Sequence, residues 1–210
     1  MYFFLCVPCG YFFWFEMAKT EIRKWELLES REAFSAVPWI RVHVDKVRLP
    51  GGRIVDDYYR IDLPEYAMIY ALGKDGKVLL ERIYKHAIGE ISFVLPTGCI
   101  EKDEQPLETA KRELLEETGY AANKWSYAGS FVVDGNKGSG KGYFFIAEDI
   151  EKVGEPEEDE MEEAEILFME PERAMEYVLK SRTAELATAA LLALATNPHA
   201  VRIRDGGELS

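Results

Sequence analysis

Alternating apolar and polar positions predict a series of short strands along most of the chain. Between positions 39 and 48, Val42 and Val44 alternate with charged side chains, which is the period of a half-buried strand. A Pro-Gly-Gly turn follows, and residues 54–61 have the composition of a returning strand. We therefore predict a small antiparallel N-terminal sheet. Further strands are predicted at residues 66–72, 78–84, 126–133 and 142–147, the first two of them joined by a Gly-Lys-Asp-Gly turn.

Two regions have the apolar spacing of helices that pack on a sheet. Pro106 stands where a helix would open and Gly119 follows its expected end, so residues 106–118 are predicted to be helical. Residues 171–196 are predicted to form two helices, broken near 181–183. The expected fold class is therefore mixed α/β, with few helices and many strands.

Composition narrows the class of function. The chain has 210 residues and a mass of 24.0 kDa, which suits one globular domain, and 48% of its residues are hydrophobic, which is enough for a core. Its net charge of −13 would repel a phosphate backbone, so no nucleic-acid partner is expected. An acidic enzyme can still bind anionic substrates where divalent cations bridge the two.

The first sixteen residues are apolar and aromatic, and they contain no Lys or Arg. They are shorter than the roughly 20 residues of a membrane span and lack the basic start of a signal peptide, so no membrane association is expected. We interpret residues 1–16 as an upstream extension that need not be native. The other expected divisions are an N-terminal strand region at 17–62, a main domain at 63–197 and a flexible tail at 198–210.

The cysteines favour a reducing compartment. Cys6, Cys9 and Cys99 do not make a disulfide framework, and the Cys6–Cys9 pair has no second pair of zinc ligands. A cytoplasmic location is therefore expected.

One face of the first predicted helix collects carboxylates. At 100° per residue, Glu113 lies about 40° from Glu117 and about 60° from Glu116 on the other side, so three like charges share an arc of about 100°. A hard cation such as Mg²⁺ would relieve their repulsion and would suit a site that receives substrate phosphates. The alternative is an ordinary acidic face exposed to water.

The context of this helix resembles the Nudix box. That motif is a glycine, five residues, a glutamate, seven residues, Arg-Glu, an aliphatic residue, any residue, Glu-Glu, any residue, a glycine and an aliphatic residue. The segment from Gly98 to Tyr120 matches all seven identity-fixed positions; Leu114 fits the first aliphatic position, and Tyr120 is an aromatic substitute in the last aliphatic position. The resemblance implies an α/β/α sandwich with a mixed sheet and a loop–helix–loop metal site, together with the N-terminal sheet predicted above.

The resemblance also implies roles for residues of the motif. Glu113 and Glu117 would be the principal metal ligands, Glu116 would help directly or through water, and the carbonyl of Thr97 would be a backbone ligand. Mg²⁺ is the implied cofactor, with Mn²⁺ as a substitute. The implied structural residues are the Glu104–Arg112 ion pair and the turn glycines Gly98 and Gly119.

Over residues 25–195 the chain further resembles the ADP-ribose and ADP-sugar pyrophosphatases. Residues 78–85 resemble a strand that ends in Gln-Tyr-Arg, with departures at Ile83 and Lys85, and Leu95 to Gly98 resembles Leu-Pro-Ala-Gly. This branch implies a nucleoside diphosphate-linked substrate and a homodimer. It also implies a mobile acidic loop, in which Glu160 would be the general base and Glu162 a further metal ligand. Glu163 is the alternative base if the register slips.

Some positions leave the substrate open. Val94 stands where this branch usually has a glutamate, and the loop at 135–142 lacks the expected downstream proline. We assign substrate contacts to Lys85, Tyr58 and Lys141; the alternatives are that Tyr58 is a strand aromatic of the core and that Lys141 belongs to an ordinary Gly-rich hairpin. The expected reaction is Mg²⁺-dependent cleavage of a nucleoside diphosphate sugar such as ADP-ribose. The alternatives are another diphosphate (a dinucleotide, NADH or an oxidised nucleotide) and a catalytically silent ligand-binding domain.

Overall fold

The structure is a computed structural model that describes residues 22–157, 164–181 and 184–197, together with the backbone of 203–204. Its first three strands form a separate antiparallel sheet in the order β1-β2-β3. These strands are β1 (Glu26–Ala36), β2 (Ile40–Arg48) and β3 (Ile54–Asp62). The small N-terminal sheet predicted from the alternation of residues 39–61 is confirmed, with β1 as an additional strand.

The second sheet is larger and mixed, with nine strands in the order β11-β5-β4-β10-β9-β12; β6 pairs with β5, β7 with β4 and β8 with β10. The β4–β10 pairing is parallel and the other pairings are antiparallel. The strands are β4 (Tyr66–Gly73), β5 (Val78–Lys85), β6 (Glu90–Val94), β7 (Thr97–Cys99), β8 (Tyr120–Ala121), β9 (Lys124–Asp134), β10 (Ser139–Lys152), β11 (Ala164–Met169) and β12 (Ile203–Arg204).

In the described part of the chain, three helices cover the two faces of this sheet. They are α1 (Pro106–Thr118), α2 (Pro171–Lys180) and α3 (Leu186–Thr196). The prediction of a helix at 106–118 and of a broken helical pair at 171–196 is confirmed. Among the described residues, no helix is long and apolar enough to span a membrane, and residues 1–21 lie outside that search.

Strand β4 lies at the centre because its side chains are buried on both faces. Ala67 and Ile69 pack with Ala110 and Leu114 of α1. The alternate residues of the strand point to the other face, where they meet a second core cluster that includes α2 and α3. The expected α/β/α sandwich is confirmed, and α1 packs directly on one face of the sheet.

Candidate active site

The C-terminal end of α1 is fixed by a glycine and by the segment that follows β10. Gly119 ends the helix in the left-handed conformation, with φ 73°, and a Cβ at this position would lie 2.4 Å from the carbonyl oxygen of Gly154. The amides of Val153 and Gly154 donate to the Gly119 carbonyl at 2.9 and 3.1 Å, and that of Glu157 donates to the Glu116 carbonyl at 2.8 Å. The last helical turn, which carries the carboxylates, is therefore held from outside the helix.

The loop that precedes α1 lies against these carboxylates because it contains a glycine. Strand β7 pairs with β4, which sets Gly98 opposite Ala67. A Cβ on Gly98 would lie 1.8 Å from the carboxyl carbon of Glu113. Any side chain at position 98 would displace that carboxylate, so glycine is required here by close approach.

Arg112 makes contact with three carboxylates at once. Its Nε and Nη2 donate to the two oxygens of Glu104, each at 3.0 Å, in a bidentate pair. Its Nη1 donates to Glu113 at 2.8 Å and to Glu116 at 2.9 Å. Hydrogen bonding to Arg112 lowers the pKa of Glu104 to about 2. Arg112 thus ties the loop to the helix, and it balances part of the negative charge on the helix face.

Glu117 lies deeper than the other carboxylates of the helix. Its Oε2 accepts a hydrogen bond from the Thr97 amide at 3.0 Å. Burial raises the pKa of Glu117 far above its usual range, and the neighbouring charges of Glu81 and Glu113 raise it further, while Lys85 acts in the opposite direction. Burial is also the largest cause of the raised pKa of Glu113. These groups need a positive partner before they can all be charged.

The donor set fits a hard divalent cation. Every side-chain ligand that the sequence predicts on α1 is a carboxylate, and Gly98 leaves space for one of them beside the loop backbone. Within the described residues, no three acidic, His or Cys side chains already converge as a metal cage. The physical reason is that Glu113 and Glu116 are turned towards Arg112. A bound cation would compete with the Arg112 guanidinium for the carboxylate oxygens of Glu113 and Glu116.

The other predicted site residues that the structure describes have different neighbours. Lys85 is close enough to influence the charge of Glu117. Tyr58 donates its hydroxyl to the carbonyl of Asn136, and Lys141 donates to the Tyr143 hydroxyl at 2.6 Å. The hairpin at 135–142 therefore docks on β3 through its tip, a contact that the sequence did not indicate. The roles of these three side chains in substrate binding stay predictions.

Glu160, Glu162 and Glu163 lie outside the described residues, but the chain on both sides of them is described. Residue 157 is bonded to the end of α1, as noted above, and β11 begins at Ala164 opposite Ile83. The described chain on either side of these six residues is thus bonded to the end of α1 and to the strand of Glu81 and Lys85.

One residue of the site was not found from the sequence. Glu81 on β5 is 3% exposed and adds its charge to the surroundings of Glu117. The available signal was a glutamate among the apolar residues of the strand Val78–Lys85, a position at which a charge is costly if the strand is buried.

We predict that Glu117→Gln stabilises the protein when divalent cations are removed. With its raised pKa, Glu117 holds a proton in the folded state that the unfolded chain has released, so the stability of the wild type falls as pH rises above the ordinary glutamate value. The fall is at most about 1.4 kcal/mol per pH unit. Glutamine has no such dependence, so in EDTA its advantage should grow between pH 6 and pH 8.5.

Urea unfolding in EDTA across this pH range measures the effect. Glu165→Gln is the matched control, because Glu165 is exposed and paired with Arg82 at the surface, and its pH slope should equal that of the wild type. Parallel slopes for Glu117→Gln and the wild type would show that the charge of Glu117 is not destabilising.

The chain is similar to known proteins in both sequence and fold. The chain is 28% identical over 151 residues to an ADP-ribose pyrophosphatase of Bacillus subtilis, which covers 71% of this chain and 81% of the relative. It is 25% identical over 144 residues to a methanol dehydrogenase activator of Bacillus methanolicus, covering 68% of this chain and 77% of the relative. A solved structure described as an ADP compounds hydrolase has the same fold, with a TM-score of 0.72, 21% identity and coverage of 83% and 94%.

Two family models match successive parts of the chain. The model described as "Nucleoside diphosphate sugar hydrolase N-terminal domain" matches residues 25–61, which include the three-stranded sheet. The model described as "NUDIX domain" matches residues 63–190, more than half of the chain, and contains the whole carboxylate helix and its loop. On these grounds the chain belongs to the Nudix family and is a Nudix hydrolase.

Proposed function

We propose that the protein hydrolyses the pyrophosphate bond of a nucleoside diphosphate sugar such as ADP-ribose, giving a nucleoside monophosphate and a sugar phosphate. The observation that carries this proposal is the set of carboxylates at the end of α1, held against the loop by Gly98 and the Thr97 amide. The printed names of the relatives support the substrate class, since one is an ADP-ribose pyrophosphatase. The match of the N-terminal sheet region to a nucleoside diphosphate sugar hydrolase domain supports it independently.

The chemistry requires charge neutralisation and a positioned water. A Mg²⁺ ion, or Mn²⁺ in its place, would neutralise charge on the pyrophosphate and make an attacking water more acidic. Glu113, Glu117 and the Thr97 carbonyl would hold the ion, with Glu162 as a further ligand. Glu116 would act as a ligand directly or through water, and Glu160 would take the proton of the attacking water.

Basic and aromatic side chains would bind the substrate around this centre. The positive charge of Lys85 acts on Glu117, and it would favour a phosphate group bound at this end of α1. Tyr58 lies on the N-terminal sheet, where it also makes an edge contact with Trp25 at 5.7 Å between ring centroids. Lys141 is linked through the Tyr143 hydroxyl to Glu65, whose carbonyl accepts the amide of Ile100 in the loop before α1. Tyr58 also reaches the hairpin of the main domain through the Asn136 carbonyl.

We expect Mg²⁺-dependent cleavage of ADP-ribose and other ADP-sugars, abolished by EDTA. The test is a substrate panel of ADP-ribose, ADP-glucose, GDP-mannose, diadenosine polyphosphates, NADH and nucleoside triphosphates, with product identification by chromatography. Glu117→Gln should lower turnover by orders of magnitude while the fold is retained, because it removes one charge from the cation site. Glu165→Gln should keep wild-type turnover, because Glu165 is paired with Arg82 on the side of the sheet that faces away from Glu81.

The panel also separates the alternatives. Cleavage restricted to dinucleotides, NADH or nucleoside triphosphates would refute the sugar-nucleotide proposal and leave the metal site standing. Silence on every substrate with both Mg²⁺ and Mn²⁺ would favour a ligand-binding domain without activity.

Glu160→Gln is expected to lower kcat by about 10²–10⁴-fold at saturating Mg²⁺, the usual contribution of a general base. Glu163→Gln, three residues further along the chain, is the matched control, and it should retain kcat within a few-fold. The measurement is kcat against pH for both variants. A large loss in Glu163→Gln together with an active Glu160→Gln would move the base to position 163.

We infer that the active form is a homodimer, and that the N-terminal sheet forms part of the contact. Large apolar side chains on and beside this sheet are exposed in the single chain: Leu27 is 59% exposed, Phe34 55% and Trp39 69%. Exposed apolar groups at this density are typical of an interaction surface.

The dimer proposal predicts a mass of about twice 24.0 kDa in light scattering. Phe34→Glu should shift the protein towards the monomer, because it places a charge within the proposed contact. Leu179→Glu is the control, since Leu179 is 65% exposed on α2, away from the N-terminal sheet. A wild type with the mass of one chain, or equal dissociation by both variants, would contradict the proposal.

A further inference from the structure

Glu81 projects from the face of the sheet on which α1 packs. It pairs with Val94 across the antiparallel β5–β6 ladder, and paired residues project to the same side. Because side chains alternate along a strand, Lys85 projects to this side as well, four residues further on. Leu79, two residues before Glu81 and on the same side of β5, packs in one cluster with Ala110 and Leu114, so this side of the strand faces α1.

The side chain of Glu81 is buried close to a second carboxylate. Glu81 is 3% exposed, and its charge acts on Glu117, which is partly buried. Two neighbouring carboxylates that are withdrawn from water repel each other, and a divalent cation between them would offset both charges at once.

A second and independent observation on the same face comes from a hydroxyl group. Ser92 pairs with Ile83, so it occupies the next rung on the side of Glu81. It is 2% exposed, and its Oγ has no hydrogen-bond partner in the described part of the chain. Buried hydroxyl groups are nearly always satisfied, so this atom indicates a polar ligand or water within the space behind Glu117. The hydration shell of a bound cation would supply such a partner.

We propose that Glu81 is a further carboxylate of the cation site, which strengthens the binding of the divalent ion from behind Glu117, and that the Ser92 hydroxyl holds water of the same ion. This proposal rests on the metal dependence of the proposed function. It assigns a binding role to β5 and β6, whereas the motif residues all belong to the loop and to α1. The site would then be closed by carboxylates from both the helix and the sheet.

Binding of Mn²⁺ alone to the full chain tests this proposal, with free Mn²⁺ measured by electron paramagnetic resonance. Glu81→Gln should weaken Mn²⁺ binding by about 10–100-fold, the range found when groups that support metal ligands are removed. Glu81→Asp keeps the charge and should recover most of the affinity. Glu165→Gln removes the same charge from a surface pair and should bind as the wild type does.

A folding defect is separated from a binding defect by urea unfolding in EDTA, where Glu81→Gln should be at least as stable as the wild type because a buried charge is gone. The proposal is overturned if Glu81→Gln binds Mn²⁺ within twofold of the wild type, or if Glu81→Asp is as weak as Glu81→Gln. Loss of binding in Glu117→Gln alone would reject the role of Glu81 and keep the proposed function. Absence of Mn²⁺ binding in the wild type would reject both.

Discussion

The repulsion among partly buried carboxylates at one end of α1 is the constraint on which the rest of the site depends. Glu113, Glu116 and Glu117 occupy the last turns of the helix, where the helix dipole is negative, and the last turn itself carries no basic residue. Glu81 adds a further charge from the sheet. The arrangement is therefore unfavourable for the helix, for burial and for like-charge contact at the same time. It persists because Arg112, the Thr97 amide and Lys85 offset part of the charge, and because the backbone around it is held firmly.

The fold supplies that firmness through elements on both sides of the cluster. Strand β4 carries β7 on one edge and packs under α1, so the loop and the helix are tied to the same strand. Gly119 allows the segment after β10 to bond to the end of α1. Strand β11, which begins at Ala164, pairs with the strand of Glu81 and Lys85. The described carboxylates of this region therefore lie on elements that are themselves paired or packed.

Much of this architecture was predictable from the sequence because its signals are local. Pro106 and Gly119 mark the ends of α1, and the alternation at 39–48 marks β2, so both elements were found with nearly their observed bounds. Strand β1 was missed because most of its side chains are exposed and show no clear alternation. The docking of the 135–142 hairpin and the burial of Glu81 depend on residues far away in sequence, which no local pattern encodes.

For the same reason, the motif alone reveals the carboxylates of α1 but does not reveal that of Glu81. A spacing of residues within one helix reveals Glu113, Glu116 and Glu117, since they share a face by helix geometry. Glu81 reaches the site through the pairing of β5 with β6, and its position on that face becomes visible only with the register Glu81–Val94. The sheet and the helix must be assembled before the charge density of the site can be counted.

That charge density bears on whether the domain catalyses a reaction or only binds a ligand. Buried like charges lower stability, and replacement of a buried charge by an apolar or amide side chain of similar size is often neutral or stabilising. A domain that only bound a sugar nucleotide would lose nothing by Gln at position 117 or by an apolar residue at 81. The presence of the buried Glu81 beside the partly buried Glu117, together with a glycine that admits the Glu113 carboxylate, is the pattern expected where stability is given up for cation-dependent chemistry.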